Sequence, residues 1–230
     1  MRRIYKIAKA ELFTLFYSPI AWFILVVFAF QTSLTFTELM QEALQRQTMG
    51  YGGAFLTANI FGGMRGLFTV VQNYLYLYVP LLTMGLMSRE YSSGTIKLLH
   101  SSPVTARHVI LGKFGAMMCY GLLLVGILLV QVIFAASTIR VFDLPAALSG
   151  LLGLYLLICA YSAIGLFMSS LTSYQVVAAI GTLVLLAVLN YMGRVWQSVE
   201  LVREITWWLS ISGRCNEFVA GLICSEDALY

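Results

Sequence analysis

The sequence predicts an all-α, polytopic membrane protein, and three observations predict it. Of the 230 residues, 60% are hydrophobic and only 10% are charged, with a mean hydropathy of +0.86; a soluble domain carries about 25% charged residues. The apolar residues come in long runs, and about 20 of them in a helix cross the hydrocarbon core of a bilayer with every backbone polar group satisfied internally. Strand-period alternation, the mark of a transmembrane barrel, is missing from these runs.

Five runs read as spans: Ile20 to Phe36, Leu67 to Met87, Val109 to Ala136, Leu148 to Leu171 and Val176 to Tyr191. Before the first, residues 1–17 place Ile4, Ala8, Leu12 and Leu15 at helical spacing opposite Arg2, Lys6 and Lys9. This pattern predicts an interfacial helix that turns into the first span near Ser18-Pro19. The alternative is a plain topology signal, and either reading puts this end in the cytoplasm. No small-x-small cleavage pattern follows, so the segment is expected to be retained.

Lys and Arg placement sets the orientation. With the N-terminus inside, the inner segments hold eight bases and two acids, the outer ones six bases and eight acids. An outer loop then runs from Glu38 to Gly66: "ELMQEALQRQ" is helix-prone, and Gly62, Gly63 and Gly66 favour turns or close backbone approach. In the second span Pro80 is expected to kink the helix. The four-residue connection "TSYQ" makes the last two spans an antiparallel hairpin, with small residues such as Gly165 and Gly181 allowing close packing. Residues 193–213 carry an apolar face opposite Arg194, Gln197, Arg203 and Glu204, with Trp207 and Trp208 suited to an interface; an outer-face amphipathic helix is expected there. Cys215 and Cys224 fall on the outer side and can pair in an oxidising compartment, while Cys119 and Cys159 lie in spans.

Several chemistries are missing. The cores of the five runs hold no Asp, Glu, Lys, Arg or His, so a proton relay, voltage sensor or metal path has no residues to use. Gln72, Asn73, Gln131 and Asn190 are suited to hydrogen bonding between helices. The Gly112-Lys113 pair lacks the glycine five residues earlier and the Ser or Thr after it that a phosphate-binding loop requires. No metal ligand set or catalytic residues are expected, and no cofactor on this chain.

Polar residues concentrate instead in "SREYSSGTIKLLHSSPVTARHVILGKF", residues 88 to 114, with Arg89, Glu90, Lys97, His100, Arg107, His108 and Lys113. Ser92 or Ser93 can cap a short helix, Ile96, Leu98 and Leu99 give it an apolar side, and Ser102-Pro103 reads as the start of another. This predicts a helix, a turn and a helix fixed to the second and third spans.

Here the residues resemble the cytoplasmic signature of type 2 ABC transporter permeases: a Glu, three residues, Gly-Thr, a leucine pair and a Ser-Pro turn. Glu90, Gly94, Thr95, Leu98, Leu99, Ser102, Pro103 and Val104 occupy those positions. The resemblance implies a coupling segment, residues 88–106, that docks on an ATP-binding subunit. With "SPIAW" before the first span, the chain is most similar to the gliding-motility-associated permeases. The interfacial helix, span order and outer helix also match the family's plan, so residues 1–230 read as one permease domain. Family members usually have six spans; the sixth is expected after Tyr230, which makes the chain a truncated version of a longer protein or else a five-span variant.

The resemblance implies a multi-pass subunit of the inner (cytoplasmic) membrane, paired with a second permease subunit, its own copy or a paralogue. ATP and Mg would be bound by partner ATPase subunits, and membrane lipids but no nucleic acid would be contacted. ATP hydrolysis on those partners would drive alternating access. It implies an exporter, although the residues themselves do not set direction. Tyr74, Tyr78 and Asn190 are candidates for lining the substrate route. Two other readings stay open: a membrane anchor or regulatory subunit that moves no substrate, and an unrelated channel or scaffold.

Overall fold

The computed structural model describes residues 2–48, 57–63, 65–95, 105–139 and 142–195. Every regular element among them is helical: α1 (Arg2–Tyr17), α2 (Pro19–Thr48), a single π turn (Ala58–Gly62), α3 (Leu67–Thr83), α4 (Ser88–Ser92), α5 (Ala106–Thr138), α6 (Leu144–Leu171) and α7 (Gln175–Val195). Four stretches of the described residues are long and apolar enough to cross a membrane: Pro19–Arg46, Ile60–Ser92, Ala106–Thr138 and Leu144–Leu171. The fifth expected run coincides with α7, whose apolar part, Gln175–Asn190, is shorter. This is an all-α, multi-pass membrane protein.

Helix boundaries differ from the expected spans in instructive ways. α2 continues through "ELMQEALQRQ" to Thr48, because helix-forming Glu, Leu, Met and Gln follow the apolar run without a breaker. The expected loop from Glu38 therefore begins as helix. Pro80 lies inside α3, but the helical path is broken one turn later, at residues 84–87. α6 starts at Leu144 with Pro145 in its first turn, and the Asp143 carboxylate accepts the Ala146 N–H at 3.3 Å, an acidic N-cap. α7 runs on to Val195, so residues 193–195 extend the fifth run; the rest of the expected outer helix, and Cys215 and Cys224, lie outside the described residues.

The chain divides into two compact units. The first comprises Met1–Leu25, Tyr76–Leu123 and Ile158–Ala187. In it α1 is amphipathic as predicted: Ile4, Ile7, Ala8, Leu12, Leu15 and Phe16 turn inward, while Tyr5, Lys6, Lys9, Phe13 and Tyr17 are exposed. Its close approach to α5 depends on Gly112, where a Cβ would stand 2.6 Å from Ile7 Cγ2. The Tyr120 hydroxyl donates to the Ala21 carbonyl at 2.7 Å, and Trp22 Nε1 donates to Phe16 O at 2.8 Å, pinning the α1 to α2 corner. α6 approaches α3 at Gly165, where a Cβ would meet Thr83 Oγ1 at 2.2 Å and Thr83 Cβ at 2.7 Å. A Cβ on Gly181 of α7 would stand 2.7 Å from Met168 Cε, the contact expected of the short α6 to α7 hairpin.

The second unit comprises Val26–Leu75, Leu124–Leu157 and Val188–Tyr230. An aromatic cluster organises it: Phe61 stands 5.2 Å from Phe68, 6.3 Å from Phe36 and 5.9 Å from Phe142, centroid to centroid. Gln131 of α5 donates to Thr32 Oγ1 of α2 at 3.2 Å, an interhelical bond of the kind expected in an apolar medium. Gly66 is needed at its turn, since a Cβ there would lie 2.7 Å from both Gly63 N and Phe61 O.

These contacts separate two glycines in effect. Gly165→Val should lower stability by about 1 to 3 kcal/mol through overpacking against Thr83. Gly126→Ala, with nothing within 4 Å of the added carbon, should be neutral or stabilising by up to about 1 kcal/mol. Denaturant titration of both variants in detergent checks this; equal losses would contradict the tight α3 to α6 contact.

Candidate functional site

The polar segment after α3 begins where the helix breaks, and the break is held by one side chain. Breaking a helix frees backbone groups that hydrocarbon cannot satisfy, so a neighbouring helix must supply partners. Ser169 of α6, fully buried, does so. Its Oγ accepts the N–H groups of Met87 at 3.0 Å and Ser88 at 3.1 Å, and donates to the Met84 carbonyl at 2.9 Å. The Ser88 hydroxyl donates to the same carbonyl. Gly165 and Ser169, one turn apart on α6, thus let the helix approach and then bond the exposed backbone.

Beyond the break, α4 is five residues long, and its last carbonyls are met by hydroxyls. Ser92 Oγ donates to Arg89 O at 3.0 Å, while Ser93 Oγ and Thr95 Oγ1 both reach Glu90 O, at 3.4 Å. Gly94 follows with φ of 70°, the left-handed conformation that ends helices and that glycine adopts without strain. Ser92 and Ser93 close α4; the helix they were expected to cap, with Ile96, Leu98 and Leu99, lies outside the described residues. Leu98, Leu99, Ser102, Pro103 and Val104 lie outside the described residues. Thr105 and His108 are hydrogen-bonded through Oγ1 and Nδ1 at the start of α5.

The charges of this region converge on Lys113 of α5. Its side chain is 2% exposed, and Nζ stands 2.5 Å from Glu11 Oε1 of α1 and 2.7 Å from Glu90 Oε1 of α4. The two carboxylates are about one-fifth exposed, at 20% and 22%. One buried ammonium thereby ties α1, α4 and α5 together. Charge-assisted bonds are the strong ones, and burial makes the set hard to break, because removing one member leaves the others charged and desolvated. Glu90, read from the sequence as a docking residue, spends one oxygen on this interior bond.

Sequence reasoning missed Lys113 and Glu11 as partners, although a signal was present. Glu11 stands on the inward face of α1, in phase with Ile4, Ile7 and Leu15, and Lys113 falls in phase with the buried Val109, Ala116, Met117 and Tyr120. Of the expected route residues, Tyr74 of α3 is 42% exposed, Tyr78 one turn later is buried at 6%, and Asn190 of α7 is buried. Among the described residues no group of three or more His, Cys, Asp and Glu is placed to hold a metal ion.

Helices and site define a multi-pass membrane protein whose break between two long helices carries a bonded polar segment. The family profile for the ABC-2 family transporter protein matches residues 5–199. The chain belongs to that family and is a membrane permease component of an ABC transporter. No curated protein and no solved structure matches it.

The Lys113 cluster should dominate the stability of this region. Lys113→Met is expected to cost about 3 to 5 kcal/mol by leaving two carboxylates buried without their cation. Arg46→Met, which breaks only an exposed pair with Glu42, should cost less than about 1 kcal/mol. Ser169→Ala, which orphans two N–H groups, should fall between them, at about 1 to 3 kcal/mol. Thermal unfolding of the three variants in detergent tests the order; equal shifts for Lys113→Met and Arg46→Met would overturn it.

Proposed function

We propose that the chain is the permease half of an ATP-driven exporter, coupled to separate cytoplasmic ATPase subunits through residues 88–106. A second permease subunit, identical or paralogous, completes the membrane pathway, and the N-terminus faces the cytoplasm of a cell whose inner membrane holds the complex. ATP and Mg are bound by the partner ATPases. Closure of those subunits displaces the coupling segment and shifts the permease between inward-open and outward-open states, a two-state change biased by ligand.

The observation that carries this reading is the bond from Glu90 through Lys113 to Glu11. A segment that transmits force must be attached to what it moves, and Glu90 is attached to α5 and α1 by one cation. Ser169 adds the attachment to α6. Membership of the transporter family supplies the partner chemistry, and the excess of Lys and Arg on the segments assigned to the inside supports the orientation.

Two measurements test the proposal. Leu99→Asp and Glu90→Ala should reduce co-purification of the partner ATPase subunit while membrane insertion is retained; unchanged co-purification with both variants would refute the docking role. A cysteine at Lys97 should react with a membrane-impermeant maleimide only in inside-out vesicles. Labelling from the exterior would place the segment on the wrong side and end the assignment.

A further inference from the structure

Only one of the two faces of α1 is covered by the protein. The inward face is committed to α5: a Cβ added to Gly112 would stand 2.6 Å from Ile7 Cγ2, and one added to Gly115 would touch Ala8 Cβ at 3.6 Å. Glu11, the one carboxylate in Arg2–Tyr17, is drawn inward to Lys113. The outward face presents Tyr5, Lys6, Lys9, Phe13 and Tyr17, all exposed. With the carboxylate turned away, that face carries two lysines and no acid.

These side chains form one strip. Tyr5, Lys9, Phe13 and Tyr17 follow at four-residue intervals, which sets them one above another on a helix. Lys9 Nζ lies 5.8 Å from the centroid of the Phe13 ring, a cation–π arrangement that keeps the ammonium along the strip. Tyr5, Phe13 and Tyr17 are each exposed over more than half of their surface, and contiguous exposed area of this kind marks an interaction surface. The neighbouring chain shows what meets it. Ser18 alone separates α1 from α2, and Ile20, Trp22 and Phe23, exposed in the first turns of α2, open the Pro19–Arg46 span. Trp22 is bonded back to Phe16 O of α1 at 2.8 Å. The strip therefore lies where acyl chains give way to headgroups, the level at which aromatic rings collect and lysines extend their ammonium groups outward.

We propose that the outward face of α1 is a docking surface for anionic phospholipids, with Lys6 and Lys9 paired to lipid phosphates and the three rings set among the glycerol and first acyl carbons. A zwitterionic headgroup brings its own cation to the same place and offsets its phosphate. Phosphatidylglycerol brings a net negative charge that the lysines meet unopposed. Each basic residue near an anionic surface strengthens binding about fivefold, so two are enough for a clear preference. An acidic protein segment would satisfy the lysines but leave the rings, which continue into the apolar face of a span, without a partner. The surface belongs to this chain alone and does not depend on ATPase coupling.

The test uses the full 230-residue chain, purified in detergent and equilibrated with mixed micelles containing equal amounts of phosphatidylglycerol and phosphatidylcholine. Native mass spectrometry should find phosphatidylglycerol retained at least about fivefold over phosphatidylcholine, and soluble glycerol phosphate at the same concentration should not displace it. Lys6→Gln combined with Lys9→Gln should bring the preference below about twofold without shifting thermal unfolding, whereas Lys6→Arg combined with Lys9→Arg should keep it. Arg46→Gln combined with Arg65→Gln removes the same charge from two other exposed positions and should leave the preference intact. Equal retention of the two lipids, displacement by glycerol phosphate, a preference that survives the paired lysine-to-glutamine change, or one lost equally in the paired arginine variant would each overturn the proposal.

Discussion

A single ammonium group, that of Lys113, determines how three helices of the first unit are related. A lysine buried to 2% exposure cannot remain charged in an apolar surrounding without counter-charge, and that requirement fixes where α1 and α4 must place Glu11 and Glu90. Packing alone would leave α1 free to slide, since its inward residues are small or aliphatic and of similar shape. The ion cluster removes that freedom. It works together with Gly112, because α1 must come close to α5 before a carboxylate on it can reach the ammonium.

The second device is the one hydroxyl at Ser169. Small residues on α6 let it approach α3 where the latter breaks, and the hydroxyl replaces the backbone partners that the break removes. Charge on one flank and a hydroxyl on the other thus hold α4 between helices distant in sequence. Its own end is closed by serine and threonine hydroxyls and by the left-handed Gly94.

Much of this was legible beforehand. Composition and run length give an all-α membrane protein, helical spacing gives the amphipathic α1, and the short connection after Leu171 gives the α6 to α7 hairpin. Glu90, Gly94 and Thr95 were singled out by motif. Lys113 and Glu11 were not paired, because they lie 102 positions apart and periodicity shows which face a residue occupies but not which helix that face meets. Ser169 was invisible for a similar reason: one serine in an apolar helix has the same appearance whether it bonds its own turn or another helix's broken backbone. The break at residues 84–87 went unforeseen inside the run from Leu67 to Met87, because the partner that satisfies its backbone is supplied by α6, which local sequence does not show.

The way α3 ends has a mechanical corollary. A continuous helix resists bending because each successive amide is locked to the carbonyl four residues behind it. At Met87 and Ser88 those locks have been traded for one rotatable hydroxyl on a different helix, so bending there re-aims three weak bonds while Glu90 keeps the short piece tied to Lys113. Stiff rods on either side and a compliant pivot between them are built from the same apolar chain by placing one oxygen atom.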